Sequence, residues 1–251
     1  MSGTAAAGTT RLIDIVFPGA TNHHGTLFGG AGLALMDRVA FIAAARHARC
    51  DIVTASCERI DFVAPAQLGD IVELTGRVIR LGRRSLGVEV ELVAEAALSG
   101  ERRRCTAGIF NMVAVDSLAA MPPVAAGVEQ EPGILRMADL VMPGETSHYG
   151  SLYGGSALAL MAKAAFVVAT RHAHRAVVMA SSRRVDFLHE IRPGAIVEIE
   201  AQLARAGRSS MTVEAKLWSE DIASGERHLC GRGGFVMVAV DADHRPLPFA
   251  S

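Results

Sequence analysis

Asp37 is the one carboxylate in the run Ala31 to Ala48, which is otherwise apolar apart from a few cations. Burying an unpaired charge is costly, so such a residue needs a reason to be there. Either it pairs with Arg38, Arg46 or an arginine of a partner subunit, or it serves as a general base or nucleophile at the mouth of an apolar slot. The segment Gly25-Thr26-Leu27-Phe28-Gly29-Gly30 leads straight into this run. Its glycines let backbone approach a ligand closely. The first N–H groups of a helix lack intrahelical partners and carry the positive end of its dipole, so they can hold an oxyanion. A tight loop into a helix, with no ligand, would read the same way. Arg80-Leu81-Gly82-Arg83-Arg84-Ser85 and Arg205-Ala206-Gly207-Arg208-Ser209-Ser210 put basic and hydroxyl groups around a glycine, either to grip phosphate or as solvated hairpins. His23 and His24 adjoin Asn22, but no third ligand stands at metal spacing, so no metal is expected. Arg46-His47 and Arg171-His172 are placed to complement helix C-termini. Gly231-Arg232-Gly233-Gly234 is a lone glycine cluster that reads as a strand bulge.

These groups need a scaffold, and the chain supplies it twice. Residues 17–116 and 142–241 align at a constant offset of 125 without a gap. Pro18-Gly19 returns as Pro143-Gly144, Gly29-Gly30 as Gly154-Gly155, Arg59, Asp61 and Phe62 as Arg184, Asp186 and Phe187, and Cys105 as Cys230. A self-match of this length means two copies of one folded unit. Asp37 becomes Ala162, so one working site is expected from a duplicated scaffold.

Each copy reads as a short strand, a glycine-rich loop, a buried helix and four strands. In the first copy these are Arg11 to Phe17, Thr21 to Gly30, Ala31 to Ala48, then Ile52 to Val63, Asp70 to Leu81, Ser85 to Ala97 and Arg103 to Val115. One helix followed by a run of strands implies an α+β unit, an antiparallel sheet wrapped on one long helix, as in the hotdog architecture. The expected organisation is a first domain at 10–116, a proline-containing linker at 117–133, a second domain at 134–241 and a loosely held tail to Ser251. Paired sheet edges favour packing of the two domains as a pseudo-dimer.

Half of the residues are hydrophobic (50%) and the formal net charge is -1, which gives no electrostatic footprint for nucleic acid. No stretch reads as a transmembrane helix, and Met1 to Thr10 lacks the pattern of a secretory signal. Four cysteines without metal or disulfide spacing read as buried reduced thiols, so a cytoplasmic protein is expected. There is no nucleophile elbow, P-loop or complete dinucleotide fingerprint.

Taken in order, Pro18, Asn22, Gly25, Gly29-Gly30, Met36-Asp37, Arg46-His47-Ala48, Ile52 to Ser56, Asp61-Phe62, Pro65, Gly69-Asp70 and Gly82 to Ser85 resemble the hotdog-fold acyl-CoA thioesterases, and in particular their tandem double-hotdog members. The resemblance covers nearly the whole chain. It implies hydrolysis of a fatty acyl-CoA to free acid and CoA, with CoA as part of the substrate and no other cofactor. It implies Asp37 as the catalytic carboxylate, Asn22 orienting water or substrate, and Thr54 lining the site. Gly29 and Gly30, or Gly154 and Gly155, would bind the thioester oxygen. Arg83, Arg84 and Ser85, or Arg208, Ser209 and Ser210, would hold the CoA nucleotide. The acyl chain would run beside Met36, Phe41 and Met161. The resemblance further implies a homo-oligomer, a dimer or trimer of double hotdogs, with no membrane partner.

One departure bears on the site. In the family, the Asp of one hotdog meets the Asn of the facing one. If the two halves pair within this chain, Asp37 meets Ser147 and Asn22 meets Ala162, while Thr54 is Met179 in the second copy. The Asp37 site is then expected to work and the Ala162 site to be dead. Pairing of first halves across chains would restore Asn22 to Asp37, but a short linker favours pairing within the chain. Two other functions remain open at this point: a non-catalytic acyl-CoA binding module, and a hotdog enoyl-CoA hydratase or dehydratase using His23 or His24 with Asp37.

Overall fold

The computed structural model describes residues 8–115 and 131–249; most of the expected linker, 116–130, lies outside them. The first unit contains β1 (Thr10–Ile15), α1 (Gly29–Ala48), β2 (Ile52–Cys57), β3 (Asp61–Phe62), β4 (Ile71–Leu81), β5 (Ser85–Glu95) and β6 (Arg102–Ala114). The second contains β7 (Ile134–Leu140), α2 (Gly154–Ala173), β8 (Ala176–Phe187), β9 (Ile196–Ala206), β10 (Ser210–Glu220) and β11 (Arg227–Val240). Both sheets are antiparallel, ordered β1-β4-β5-β6-β2 with β3 also on β6, and β7-β9-β10-β11-β8. This is a tandem hotdog.

Each sheet wraps its own helix because strand alternation aims one face inward. In β5, Val88, Val90 and Leu92 are buried while Glu89 and Glu91 turn outward. Those apolar residues pack on Met36, Val39, Ala40 and Ala43 of α1. Where α1 comes closest to β4, a Cβ on Gly76 would sit 2.7 Å from Val39 Cγ1. The second unit keeps this fit with the volumes redistributed: alanines stand at the matching positions, Ala201 and Ala164.

The two units are joined by ion pairs that repeat under the 125-residue offset. Arg46 at the end of α1 reaches Glu198 at 3.0 Å and Glu220 at 2.7 Å in the second unit. Arg171 at the end of α2 reaches Glu73 at 2.8 Å and Glu95 at 2.7 Å in the first. Arg38 pairs with Asp139 and Lys163 pairs with Asp14. Ile42 packs with Ala138 and Ile196, and Ile13 and Ile71 join the core of the second unit. The pseudo-dimer is therefore formed within the chain. The arginines read from sequence as complements to the helix dipole instead hold buried glutamates of the other unit.

This joint titrates. Burial pushes the Glu73 carboxyl up, but Arg11, Arg171 and Arg102 outweigh it and hold it below its ordinary value. Burial lowers the Arg171 guanidinium, and Glu95 and Glu73 more than compensate. A carboxyl depressed in the folded state contributes stability above its unfolded pKa and loses it as pH falls through the folded value. The melting temperature should therefore fall as pH drops below about 4.5, the unperturbed value. Calorimetry of Glu73→Gln should show a shallower acid slope; an unchanged slope would remove Glu73 from the account.

Three features differ from the sequence reading. The helices are not buried along their full length: Gly30, Leu33 and Ala34 in α1, and Gly154, Gly155 and Leu158 in α2, are exposed, because the described elements leave one side of their N-terminal turns open. The cysteines are not all buried, since Cys57 is exposed and Cys50 half-buried. The tail is not loose up to Phe249. The Leu247 N–H donates to Ala239 O, and Phe249 is buried with its ring edge-on to His172.

Candidate active site

Asp37 lies in the third turn of α1, half-buried, where the covered part of the helix gives way to the exposed part. Thr54 on β2 donates its hydroxyl to Asp37 Oδ1 at 2.7 Å. Its oxygen also sits 3.6 Å from Met112 Sδ on the neighbouring strand. No ion pair holds Asp37 among the described residues, so pairing with Arg38 or Arg46 is not adopted: Arg38 turns to Asp139 and Arg46 to Glu198 and Glu220. In the second unit both members of the hydrogen-bonded pair are gone, as Ala162 and Met179.

Asn22 is used by its own loop. Its Oδ1 accepts from the N–H groups of His24 and Thr26, and its Nδ2 donates to Thr26 Oγ1 at 2.9 Å. Ser147 plays the same part more weakly, its Oγ accepting from the Tyr149 N–H at 3.3 Å. The rings of His23 and His24 stack on each other, and no cluster of metal-ligating groups is found among the described residues.

Phe28 and Tyr153 cap the two helices with aromatic rings and no side-chain acceptor, so the first-turn N–H groups face outward without a cap. The second glycine of each pair is also needed for packing. A Cβ on Gly30 would lie 2.6 Å from the Phe28 ring, and one on Gly155 would lie 2.5 Å from the Tyr153 ring. Seven residues separate Gly30 from Asp37, roughly 10 Å along a helix at about 1.5 Å per residue. One carbonyl must lie about 3 Å from both its attacking group and its oxyanion donors. A carbonyl held at Gly29 and Gly30 would therefore lie well forward of Asp37, whose side chain tilts toward the helix start, and equivalent donors, Gly154 and Gly155, open α2.

β7 relates the start of α2 to α1. Ile42 of α1 meets Ala138, and Arg38, one turn nearer the helix start, meets Asp139. The chain thus leaves β7 heading toward the N-terminal half of α1, into the loop that carries Ser147 and ends at Gly154 and Gly155.

Two apolar clefts flank the helix starts. One of about 360 Å³ is lined by Leu27, Gly29, Phe62, Leu92 and Cys105. Its counterpart of about 350 Å³ is lined by Leu152, Gly154, Phe187, Leu217 and Cys230. Burial pushes both thiols above their ordinary values, so neither is a thiolate nucleophile at neutral pH. Met36 and Met161, expected along the acyl path, are instead fully buried core residues.

The two basic turns are hairpins, β4–β5 and β9–β10. Arg84 donates to the carbonyls of Ala114 and Val115. The Ser209 and Arg208 carbonyls accept from Ala239 and Phe249. Arg83 is exposed, and Ser85 and Ser210 begin β5 and β10. Across β6, Thr54 stands opposite Met112 and Met112 opposite Leu86, so the first hairpin lies at the Thr54 end of its sheet, about 10 Å away at two strand spacings.

The Thr54 hydroxyl is a positioning group for the carboxylate. Thr54→Ala should lower kcat about tenfold, about 1.4 kcal/mol of barrier, with KM little changed. Thr54→Ser should restore it; an Ala variant at full kcat would remove Thr54 from the site.

Comparison with known proteins adds four findings. The model of the thioesterase superfamily matches residues 24–99 and 149–226, once per unit. A crystal structure of an acyl-CoA hydrolase from Agrobacterium tumefaciens superposes with a TM-score of 0.88 and 52% identity, covering 96% of this chain and 98% of that one. The cytosolic acyl coenzyme A thioester hydrolase of Rattus norvegicus is 22% identical over 285 residues, 93% of this chain and 75% of that protein. An uncharacterized acyl-CoA thioester hydrolase of Bacillus subtilis is 40% identical over 109 residues, 43% of this chain and 63% of that protein.

Proposed function

The chain belongs to the thioesterase superfamily, and from that premise we propose that it hydrolyses acyl-CoA thioesters to the free acid and CoA at a single site built around Asp37. The observation that carries the site is the Asp37–Thr54 hydrogen bond at the half-open face of α1, with both partners lost in the second unit. Asp37 acts as general base on a water, or attacks the thioester carbonyl directly. The Gly154 and Gly155 N–H groups at the start of α2 receive the developing oxyanion, a choice supported by the heading of β7 toward the N-terminal half of α1. Ser147 takes the place that an asparagine holds in the facing hotdog. The acyl chain enters the apolar cleft beside Gly154, lined by Leu152, Phe187 and Leu217. The exposed Arg83 hairpin, at the Thr54 end of the sheet, is placed for the CoA phosphates.

The region around the start of α1 is rich in exposed apolar side chains, among them Phe28, Leu33, Phe62 and Val63. A patch of this kind marks an interaction surface. A second double hotdog seated there would form the homo-oligomer and shield the site from water, a state that sedimentation equilibrium reads directly.

The function is tested by thiol release from an acyl-CoA series of short to long chain. Release fixes the reaction and the length preference. Binding without release from any member would make the protein an acyl-CoA binding module.

A further inference from the structure

A third cleft, about 580 Å³, lies on the outer face of the second sheet, lined by Arg183, Arg184, Asp186, Thr212, Glu214 and Lys216 together with Arg232, Gly233 and Gly234. The sheet stands between it and α2, so it is not part of the site described above. We propose that this trough binds a phosphate-bearing ligand of the nucleotide class.

The first observation is the pairing of Lys216 with Arg232, directly opposite each other on β10 and β11. Like charges in that position destabilise a sheet unless something neutralises them. The same pair in the first unit is Glu91 opposite Ala107, and Glu91 is matched by Arg104 at 2.9 Å. The second observation is a lost ion pair. Arg80 meets Glu58 at 3.2 Å on the outer face of the first sheet, and the corresponding residues of the second are Arg205 and Arg183. The two faces descend from one pattern. Each carboxylate named here that served an arginine in the first unit has become a cation in the second.

The cations of the trough outnumber its carboxylates, four to two. Asp186 is shared by Arg184 at 2.7 Å and Arg232 at 3.8 Å, and Glu214 also lines the cleft. Arg183 and Lys216 have no hydrogen-bonding or ionic partner among the described residues, nor has Arg205 beside Thr212.

The floor is shaped for close approach. Gly234 replaces Ile109 of the first unit, and the Arg183 side chain lies across it, 3.3 Å from where a Cβ would stand. β8 carries an extra residue between Ser182 and Val185, opposite Gly233 to Phe235 of β11, so Arg183 and Arg184 stand in a bulge that re-aims their side chains. The cations span β8 to β10, about 10 Å at two strand spacings, a width that suits two phosphate groups better than one. The volume falls in the range of small-molecule sites, about 300–1,000 Å³. Arginine forks and a lysine supply the charge-assisted donors that phosphate oxygens take.

Calorimetry with inorganic pyrophosphate, adenosine 3′,5′-bisphosphate and ATP tests this on the full chain. Wild type should bind saturably, more weakly as salt rises. The variant R183E/K216E, which restores the first unit's residues, should bind at least tenfold more weakly while melting no lower than wild type. Preference for the bisphosphate identifies the CoA nucleotide as the source of the phosphates, and preference for ATP identifies a free nucleotide. The proposal is overturned if none of the three probes saturates, or if R183E/K216E binds as wild type does. It is also overturned if the face instead drives salt-sensitive self-association without ligand. Because binding is read directly, these outcomes are independent of thiol release.

Discussion

Asp37→Ala is expected to reduce kcat for acyl-CoA hydrolysis by roughly 10³-fold, within the 10²–10⁴ range of a positioned acid or base, while the protein stays folded. The energetic argument for folding is that Asp37 is half-buried and makes one side-chain hydrogen bond, to Thr54, whose own position is exposed. Its removal opens no sealed cavity and strands no buried charge, the mechanisms behind large losses of stability. The argument for activity is that no other carboxylate stands at the equivalent place, since the second unit has Ala162. KM should move little, because in the proposed role the carboxylate acts on water or on the carbonyl carbon and not on the CoA moiety. Asp37→Asn should fall as far as Ala, because an amide of the same shape keeps the Thr54 contact but neither accepts a proton nor attacks. Thiol release by either variant at the wild-type rate, with an unchanged melting temperature, would sink the assignment of Asp37.

Asp37 was legible in the sequence because a lone carboxylate in an apolar helix is locally anomalous, and its absence from the second copy sharpened the signal. The strand order followed from periodicity for a similar reason: the alternation of Val88, Val90 and Leu92 with Glu89 and Glu91 is local. The glutamates that join the two units were not read. Glu73 and Glu95 look like further polar members of alternating strands until α2 delivers Arg171 to them. Two signals pointed to them nonetheless. Glu73 and Glu95 return unchanged as Glu198 and Glu220, and Glu95 follows Ala94 on β5 where both are buried. The source of the oxyanion donors was open for a different reason. The sequence offers both Gly29-Gly30 and Gly154-Gly155, and the choice between them turns on how β7 sets the second unit against α1. The basic trough was not read from the sequence: its charge reversals between copies are single changes, and their convergence depends on cross-strand register. The exposure of the N-terminal helix turns was not legible, because their composition matches that of the buried turns that follow.

Arg46→Met is expected to destabilise the protein by about 3 kcal/mol, a drop of roughly 10 °C in melting temperature for a chain of this size. The Glu220 side chain has 0% exposure and is held by Arg46 at 2.7 Å and Arg49 at 2.8 Å. Arg46 also serves Glu198, which keeps Arg227 at 2.6 Å. Removing Arg46 leaves Glu220 with one guanidinium in a space without water. Breaking a buried pair from one side costs more than the pair contributes as a whole, because the stranded charge keeps its desolvation penalty. The companion change should therefore restore stability: Arg46→Met with Glu220→Leu should recover at least half of the loss. A double-mutant cycle should show a coupling above about 1 kcal/mol, as for groups in direct contact. Arg171→Met should produce a loss of similar size, since Glu73 and Glu95 stand to α2 as Glu198 and Glu220 stand to α1. A loss from Arg46→Met that the Glu220 change does not relieve would assign the effect to packing of the arginine stem. A loss below about 1 kcal/mol would mean that the apolar contacts of Ile13, Ile42 and Ile71, and not the crossed ion pairs, hold the hotdogs together. The test bears on the proposed function, in which Asp37 stands on one unit and Gly154 and Gly155 on the other: loosening the pseudo-dimer should then lower kcat before the chain unfolds.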